Sequence, residues 1–300
     1  MKLGIIGLGK MGNAIAQRAI DGGHQVIGFD PAQEASAQAE QLGVTIVPSV
    51  TDVAKHARII WLMIPAGHIV DATLSLLQPH LHKDDIIIDG GNSHFKDSIR
   101  RAKDLEQHGI YFLDCGTSGG LQGREIGFSL MVGGDEASYI KIHSLFEAIA
   151  APGGLGLVGP SGAGHYVKMV HNGIEYGLLQ AYAEGFQLIK EGDLKKYDPD
   201  LEQISRIWSN GAIIRSYILD LAHTIFEQDQ ELRSISGYIG QNGTGQWAAE
   251  DAQENNISVP VLQAALKVRA ESEQTGGNYA TKIVALLRHA FGGHPLGKKG

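Results

Sequence analysis

Cysteine is nearly absent: Cys115 is the only one among 300 residues, which excludes an internal disulfide and any cysteine-based zinc motif and fits a reducing compartment. Long apolar runs are missing too. The longest, Ile59 to Ala66, falls far short of the roughly 20 residues that cross a bilayer. The opening MKLGIIGLG enters a strand pattern at once, with no basic stretch leading into a cleavable apolar segment. A cytoplasmic chain with no membrane attachment is therefore expected. Cations are outnumbered as well: 25 Lys and Arg stand against 33 Asp and Glu, a formal net charge of −8, and they form no basic run. That balance argues against a nucleic-acid or anionic-membrane surface. An anionic substrate must then be held by locally gathered Lys and Arg.

What is present is apolar residues in two rhythms. With 43% hydrophobic residues, 300 positions can build one large core or two ordinary ones. From residue 2 to 158 short apolar runs (KLGIIG, QVIGFD, IIWLMI, DIIIDG, YFLDC, SLMVGG, LGLVG) alternate with helical patterns, the signature of βαβ units and a mostly parallel sheet. Beyond Val158 only long helical patterns follow, and the change falls at GPSGAG. The expected architecture is an α/β Rossmann-type doubly wound sheet over 1–160, followed by an all-α helical domain over 161–300.

The first strand runs into Gly7-Leu8-Gly9-Lys10-Met11-Gly12. These glycines permit a tight turn and let backbone N–H groups approach a pyrophosphate at a helix N-terminus. Such a motif alone is weak, but here a strand precedes it, a helical pattern follows, and QVIGFD brings Asp30 to the end of the second strand. A carboxylate there accepts hydrogen bonds from ribose hydroxyls and repels a 2′-phosphate, and the next residues, Pro31 and Ala32, carry no cation. The expected cofactor is NAD, preferred over NADP. Three further loops, Pro65-Ala66-Gly67, Gly90-Gly91-Asn92-Ser93 and Thr117-Ser118-Gly119-Gly120, fall at strand ends where ligands bind in open α/β sheets.

The stretch Gly162 to Tyr182 reads as one helix with its polar residues on one face. At about 100° per residue, His171, Asn172 and Glu175 lie within about 60° of Lys168. The opposite side carries Val170, Gly173, Ile174, Gly177, Leu178 and Ala181 and is expected to pack closely. Lys168 and Glu175, two turns or roughly 10 Å apart, could act as base and acid on different carbons of a small substrate. A solvated, merely paired lysine and glutamate is the bland alternative, but several glycines in one helix are hard to explain on a free surface. Further on, YIGQNGTGQW holds Thr244, and Arg269, Arg288 and His294 follow. Isolated arginines and histidines are usually surface decoration, so these are candidates only for an anion pocket.

The stretches GGNSHFKDSIRR (90–101), TSGG (117–120), GAGHYVKMVHNGIEYG (162–177), GTGQW (243–247) and the FGGH tail resemble the 6-phosphogluconate dehydrogenases, within the wider β-hydroxyacid dehydrogenases. The likeness covers essentially the whole chain. It implies oxidative decarboxylation of 6-phosphogluconate to ribulose 5-phosphate, with Lys168 as general base and Glu175 as acid and no metal. Asn92, Ser118, Gly119, Gly120, His171 and Asn172 would hold the carboxylate and hydroxyls, and Tyr176, Thr244 and Arg269 the phosphate. Met63 and Asn92 join the glycine motif and Asp30 as cofactor residues. Arg288 and His294 match positions that reach a neighbouring subunit's site, which implies a homo-oligomer with shared sites. The chain resembles the short form of the family, without the second helical unit of long members. Asn242 stands where long forms carry a phosphate-binding lysine, and Leu121 where they carry a glutamate. A dehydrogenase of another small β-hydroxyacid, such as 3-hydroxyisobutyrate, is the rival within the enzyme class; a nonenzymatic NAD-binding sensor is the rival outside it.

Overall fold

The computed structural model describes residues 1–240 and 243–297. By internal packing the chain divides into two units, Met1–Met169 and Val170–Gly300. In the first, strands β1 (Lys2–Ile6), β2 (Gln25–Phe29), β3 (Thr45–Ile46), β4 (Ile59–Leu62), β5 (Ile86–Asp89), β6 (Tyr111–Ser118), β7 (Phe128–Gly133) and β8 (Ala150–Gly159) form one sheet in the order β3-β2-β1-β4-β5-β6-β7-β8. Helices α1 (Lys10–Asp21), α2 (Gln33–Gln41), α3 (Val50–His56), α4 (His68–Leu77), α5 (Phe95–Glu106), α6 (Gly123–Ile126), α7 (Glu136–Lys141) and α8 (His143–Ile149) connect them. Alternation along the strands sends side chains to both faces. Leu3, Ile5, Trp61, Ile86 and Ile88 join one buried cluster, while Ile6, Ile60, Leu62 and Ile87 join another. Both faces are therefore covered, as a doubly wound sheet requires.

Two features depart from a reading of the apolar runs. Strand β3 is only Thr45–Ile46 and pairs with β2; two residues are too few to give a periodic signal. Strand β7 runs antiparallel to β6, because the short 119–127 connection cannot make the dozen-residue crossover that a parallel pair needs.

Helix α9 (Ala163–Glu191) is 29 residues long and starts just after the Gly/Pro/Ser turn at which the helical domain was expected to begin. The division between the two packed units falls inside it, at Met169. In the second unit α9 is followed by α10 (Leu201–Ser209), α11 (Tyr217–Gln228), α12 (Thr244–Glu254), α13 (Pro260–Thr275) and α14 (Tyr279–Gly292). Leu179, Ala183 and Phe186, spaced as one helical stripe, meet Leu219, Ala222 and Phe226 of α11 and Ile283, Val284 and Leu287 of α14 in one buried cluster. Phe186 and Phe226 sit edge to face, 4.7 Å between centroids. Among the described residues no helix is long and apolar enough to cross a membrane.

Candidate active site

The glycine turn after β1 is shaped by close approach. Gly7 has φ +93, and a Cβ on it would strike the carbonyl of Met63; one on Gly12 would strike the carbonyl of Gly7. Around Gly9 there is open space, and this residue begins α1 with no side-chain cap. The N-terminal amides of α1 are thus available to a phosphate. Asp30 braces the turn: Leu8 N–H donates to its Oδ2 at 2.7 Å and Ala32 N–H to its Oδ1 at 2.8 Å. The residues fit a dinucleotide, with Lys10 and Met11 in the first turn of α1 and Met63 beside Gly7. Of the three loops expected at strand ends, two follow the adjacent strands β4 and β5, while in the third Thr117 and Ser118 are the last residues of β6 and only Gly119 and Gly120 follow it.

A buried ion network ties two of these loops together. Arg101, 2% exposed, reaches Asp89 and Ser93 through Nη1, the Gly67 carbonyl through Nη2 (3.0 Å) and Asp71 through Nε (2.8 Å). Asp89 also accepts from Gly91 N–H and Ser93 Oγ–H. The loop that presents Asn92, itself half-buried, is therefore held at both ends. Ser118 closes β6, and the next two residues, Gly119 (φ +138) and Gly120 (φ +54), adopt backbone that favours glycine.

Where α9 starts, strand and helix touch backbone to backbone. A Cβ on Gly164 would strike the carbonyl oxygens of Asp114 and Met131, and one on Gly116 would lie 2.5 Å from the Lys168 Cβ. The glycines that enter this helix are explained by that contact. The Asp114 carboxylate, fully buried, accepts from Gly162 N–H at 2.6 Å and His165 N–H at 2.8 Å. Reading the sequence alone misses this cap. A clue was available, since Gly162 offers no side chain to cap a long helix and YFLDC places a carboxylate in an apolar strand.

Along α9 the polar face is as expected: Lys168, His171 and Glu175 are half-buried and Asn172 is buried. His171 Nδ1 lies 3.2 Å from Asn172 Oδ1, and Asn172 Nδ2–H donates to Thr244 Oγ1 at 3.4 Å. The opposite side differs from expectation. Gly173 and Gly177 pack near Leu262 and Val261, but Val170, Ile174 and Leu178 stay 41%, 67% and 36% exposed. Periodicity reveals that a face is apolar without revealing what covers it.

The phosphate residues expected in the helical unit converge. Tyr176 is buried, its ring occupying the place where a Gly245 Cβ would sit, and the Arg269 guanidinium stacks on it at 3.3 Å from carbon to ring centroid. Arg269 is 1% exposed, and neither Nη1 nor Nη2 has a hydrogen-bond partner among the described residues. Burial drives its pKa down to about 10; Tyr176 and Glu175 oppose the shift and the nearby Arg288 adds to it. Burial also lowers Arg288, while burial followed by Arg288 and Arg269 lowers His294 to about 4. Arg288 and His294, which the resemblance implied serve a neighbouring subunit, lie within this chain in the field of Arg269. Leu121 is 43% exposed in the segment after Ser118. Asn242 lies outside the described residues.

Comparison with known proteins agrees in both halves. Residues 2–173 match the NAD binding domain of 6-phosphogluconate dehydrogenase, and residues 164–289 match the C-terminal domain of 6-phosphogluconate dehydrogenase. A NAD+-dependent, decarboxylating 6-phosphogluconate dehydrogenase of Haloferax volcanii is 45% identical over 304 aligned positions, covering 100% of this chain and 99% of the relative. The Plasmodium falciparum 6-phosphogluconate dehydrogenase, studied with NADP+ and with 6-phosphogluconate, superposes with a TM-score of 0.81 at 31% identity over 91% of this chain and 62% of that longer one. The 3-hydroxyisobutyrate dehydrogenase of Mycobacterium tuberculosis superposes with a TM-score of 0.76 at 22% identity, over 96% and 98% of the two chains, which is a likeness of fold.

Proposed function

The chain belongs to the 6-phosphogluconate dehydrogenase family, and we propose that it converts 6-phosphogluconate to ribulose 5-phosphate and CO2 with reduction of NAD. One observation carries the substrate class. Burying a guanidinium whose donors are unmet is costly, and Arg269, stacked on Tyr176 in the field of Arg288 and His294, is such a group: Glu175 offsets part of its charge, but Nη1 and Nη2 have no hydrogen-bond partner among the described residues. A phosphate supplies the missing charge, and the bidentate donors of arginine match its geometry. An unphosphorylated hydroxyacid would leave the cluster unneutralised.

Roles follow residue by residue. Gly7 to Gly12, Asp30, Met63 and Asn92 hold the dinucleotide, which supplies the hydride acceptor when bound. Lys168, as a free amine, takes the proton of the C3 hydroxyl, and the β-keto acid so formed loses CO2 because the new carbonyl accepts the electron pair. The resulting Lys168 ammonium then supports the carbonyl oxygen. Glu175, two turns further along α9, protonates C1 of the enediol. Asn92, Ser118, Gly119, Gly120, His171 and Asn172 orient the carboxylate and hydroxyls; Tyr176, Thr244, Arg269, Arg288 and His294 take the phosphate. Asp30, followed by Pro31 and Ala32, favours NAD over NADP. The exposed apolar ridge Val170, Ile174, Leu178 supports a homo-oligomer.

The test is turnover of 6-phosphogluconate, gluconate and 3-hydroxyisobutyrate with NAD and with NADP, following CO2 release. The reading expects CO2 from 6-phosphogluconate alone and at least about tenfold preference for NAD, equivalent to about 1.4 kcal/mol. It expects Lys168→Met to abolish oxidation and Glu175→Gln to impair mainly the last protonation. Oxidation of 3-hydroxyisobutyrate in preference to 6-phosphogluconate would overturn it, as would reduction of NAD without CO2. Mixing Arg288→Ala with Lys168→Met subunits, with exchange demonstrated, tests sharing: restored activity means that Arg288 acts across subunits, and none means that each chain completes its own cluster.

A further inference from the structure

We propose that Asp114 is a positioning residue for Lys168, its buried carboxylate fixing where helix α9 starts and how readily the lysine gives up its proton. The inference rests on the reading of Lys168 as general base. A helix leaves its first amides without partners and carries about half a positive charge at its N-terminus. The residue in the capping place, Gly162, has φ +92 and no side chain. Strand β6 supplies the cap instead: Asp114 Oδ1 takes Gly162 N–H at 2.6 Å and Oδ2 takes His165 N–H at 2.8 Å. Hydrogen bonds from backbone N–H to a carboxylate are charge-assisted and short. Two residues along the same strand face, Gly116 lacks the Cβ that would collide with the stem of Lys168. One strand face therefore both anchors the first turn and clears the path of the lysine, and misplacing a catalytic group by about 1 Å can cost two orders of magnitude in rate.

The charge acts as well. An uncompensated helix N-terminus favours the free amine of a lysine in the next turn, whereas a carboxylate at that terminus favours its ammonium. The groups facing Asp114 are the Asp89 carboxylate, its register partner on β5 and itself paired with Arg101; the adjoining Cys115 thiol; and His165, whose Nδ1 lies 2.7 Å from Ser98 Oγ. Along α9, Lys168 shares its face with His171 and Glu175. Asp114 differs from these in bonding the helix amides directly, so its charge and the helix terminus offset each other at the start of α9.

The experiment compares Asp114→Asn and Asp114→Ser with wild type and Lys168→Met, with melting curves and NADH binding as checks of folding. Both Asp114 variants are expected to keep NADH binding, with KM for NAD within about twofold, and to lose about ten- to a hundredfold in kcat. The acid limb of the pH–rate profile, where activity rises as the lysine becomes neutral, should move to lower pH, as expected when a carboxylate charge is removed from the start of the helix that carries the lysine. Unchanged kcat, or reduced kcat with an unmoved acid limb, overturns the proposal while leaving the general base in place. Variants that neither bind NADH nor melt cooperatively make Asp114 a folding residue and overturn it too. If Lys168→Met still oxidises substrate, the general-base reading and this inference fall together.

Discussion

Arg269 is almost fully buried and yet charged. Its stem and guanidinium fill space against Tyr176, yet its terminal nitrogens lack partners among the described residues. Arg269→Met keeps much of the packing and deletes the charge. Without ligand the variant should be as stable as wild type or more so, by about 1–3 kcal/mol, because a buried cation whose terminal nitrogens lack hydrogen-bond partners among the described residues has been removed. KM for 6-phosphogluconate should rise about ten- to a hundredfold, equivalent to the about 1.5–3 kcal/mol of a charged hydrogen bond. Thermal scans with and without inorganic phosphate check both halves; a markedly less stable apo variant would mean that the cation is already satisfied. His294 gives the matching pH signature. Burial and the two arginines lower it from 6.5 to about 4, so between those values the unfolded chain binds a proton that the folded one refuses. Its contribution to stability is whole above pH 6.5 and declines as pH falls toward 4. Phosphate at the cluster should raise the imidazole midpoint in an NMR titration, and His294→Gln should flatten this part of the pH–stability curve.

Glycines on one helix differ by what they face, and the element scale makes that measurable. Gly164→Ala pushes a methyl into two backbone carbonyls of β6 and β7 and should cost at least about 2 kcal/mol. Gly177→Ala meets a single side-chain atom, Val261 Cγ1 at 2.8 Å, on an exposed valine. Helix propensity favours alanine there by about 1 kcal/mol, so denaturation should find this variant within about 1 kcal/mol of wild type. A reversed order would show that the strand contact at α9 is looser than described. The same contrast explains what could be read in advance. The Gly7-to-Gly12 turn, Asp30 and the polar face of α9 are local patterns, legible from spacing. The antiparallel β7, the Asp114 cap and the exposure of Ile174 depend on residues distant in sequence, for which periodicity carries no signal. Arg269 and Arg288 were legible as residue types, but their meeting required the bundle to be folded.

Across the molecule's surface, Val170, Ile174 and Leu178 form an exposed apolar ridge along one face of α9, the kind of surface that suits a partner. If the proposed homo-oligomer forms through this ridge, Ile174→Glu should shift sedimentation toward the monomer without lowering the melting temperature of that monomer by more than a few degrees. An unchanged oligomer would place the subunit contact elsewhere. The first turn of α9 is bonded to β6, and its later turns supply Leu179, Ala183 and Phe186 to the helical core. Helix α9 contributes to both units, since the division at Met169 falls inside it. Melting either end withdraws a template from its neighbour. Calorimetry should record one transition, and amide exchange should find the middle turns of α9 opening only when the entire chain unfolds.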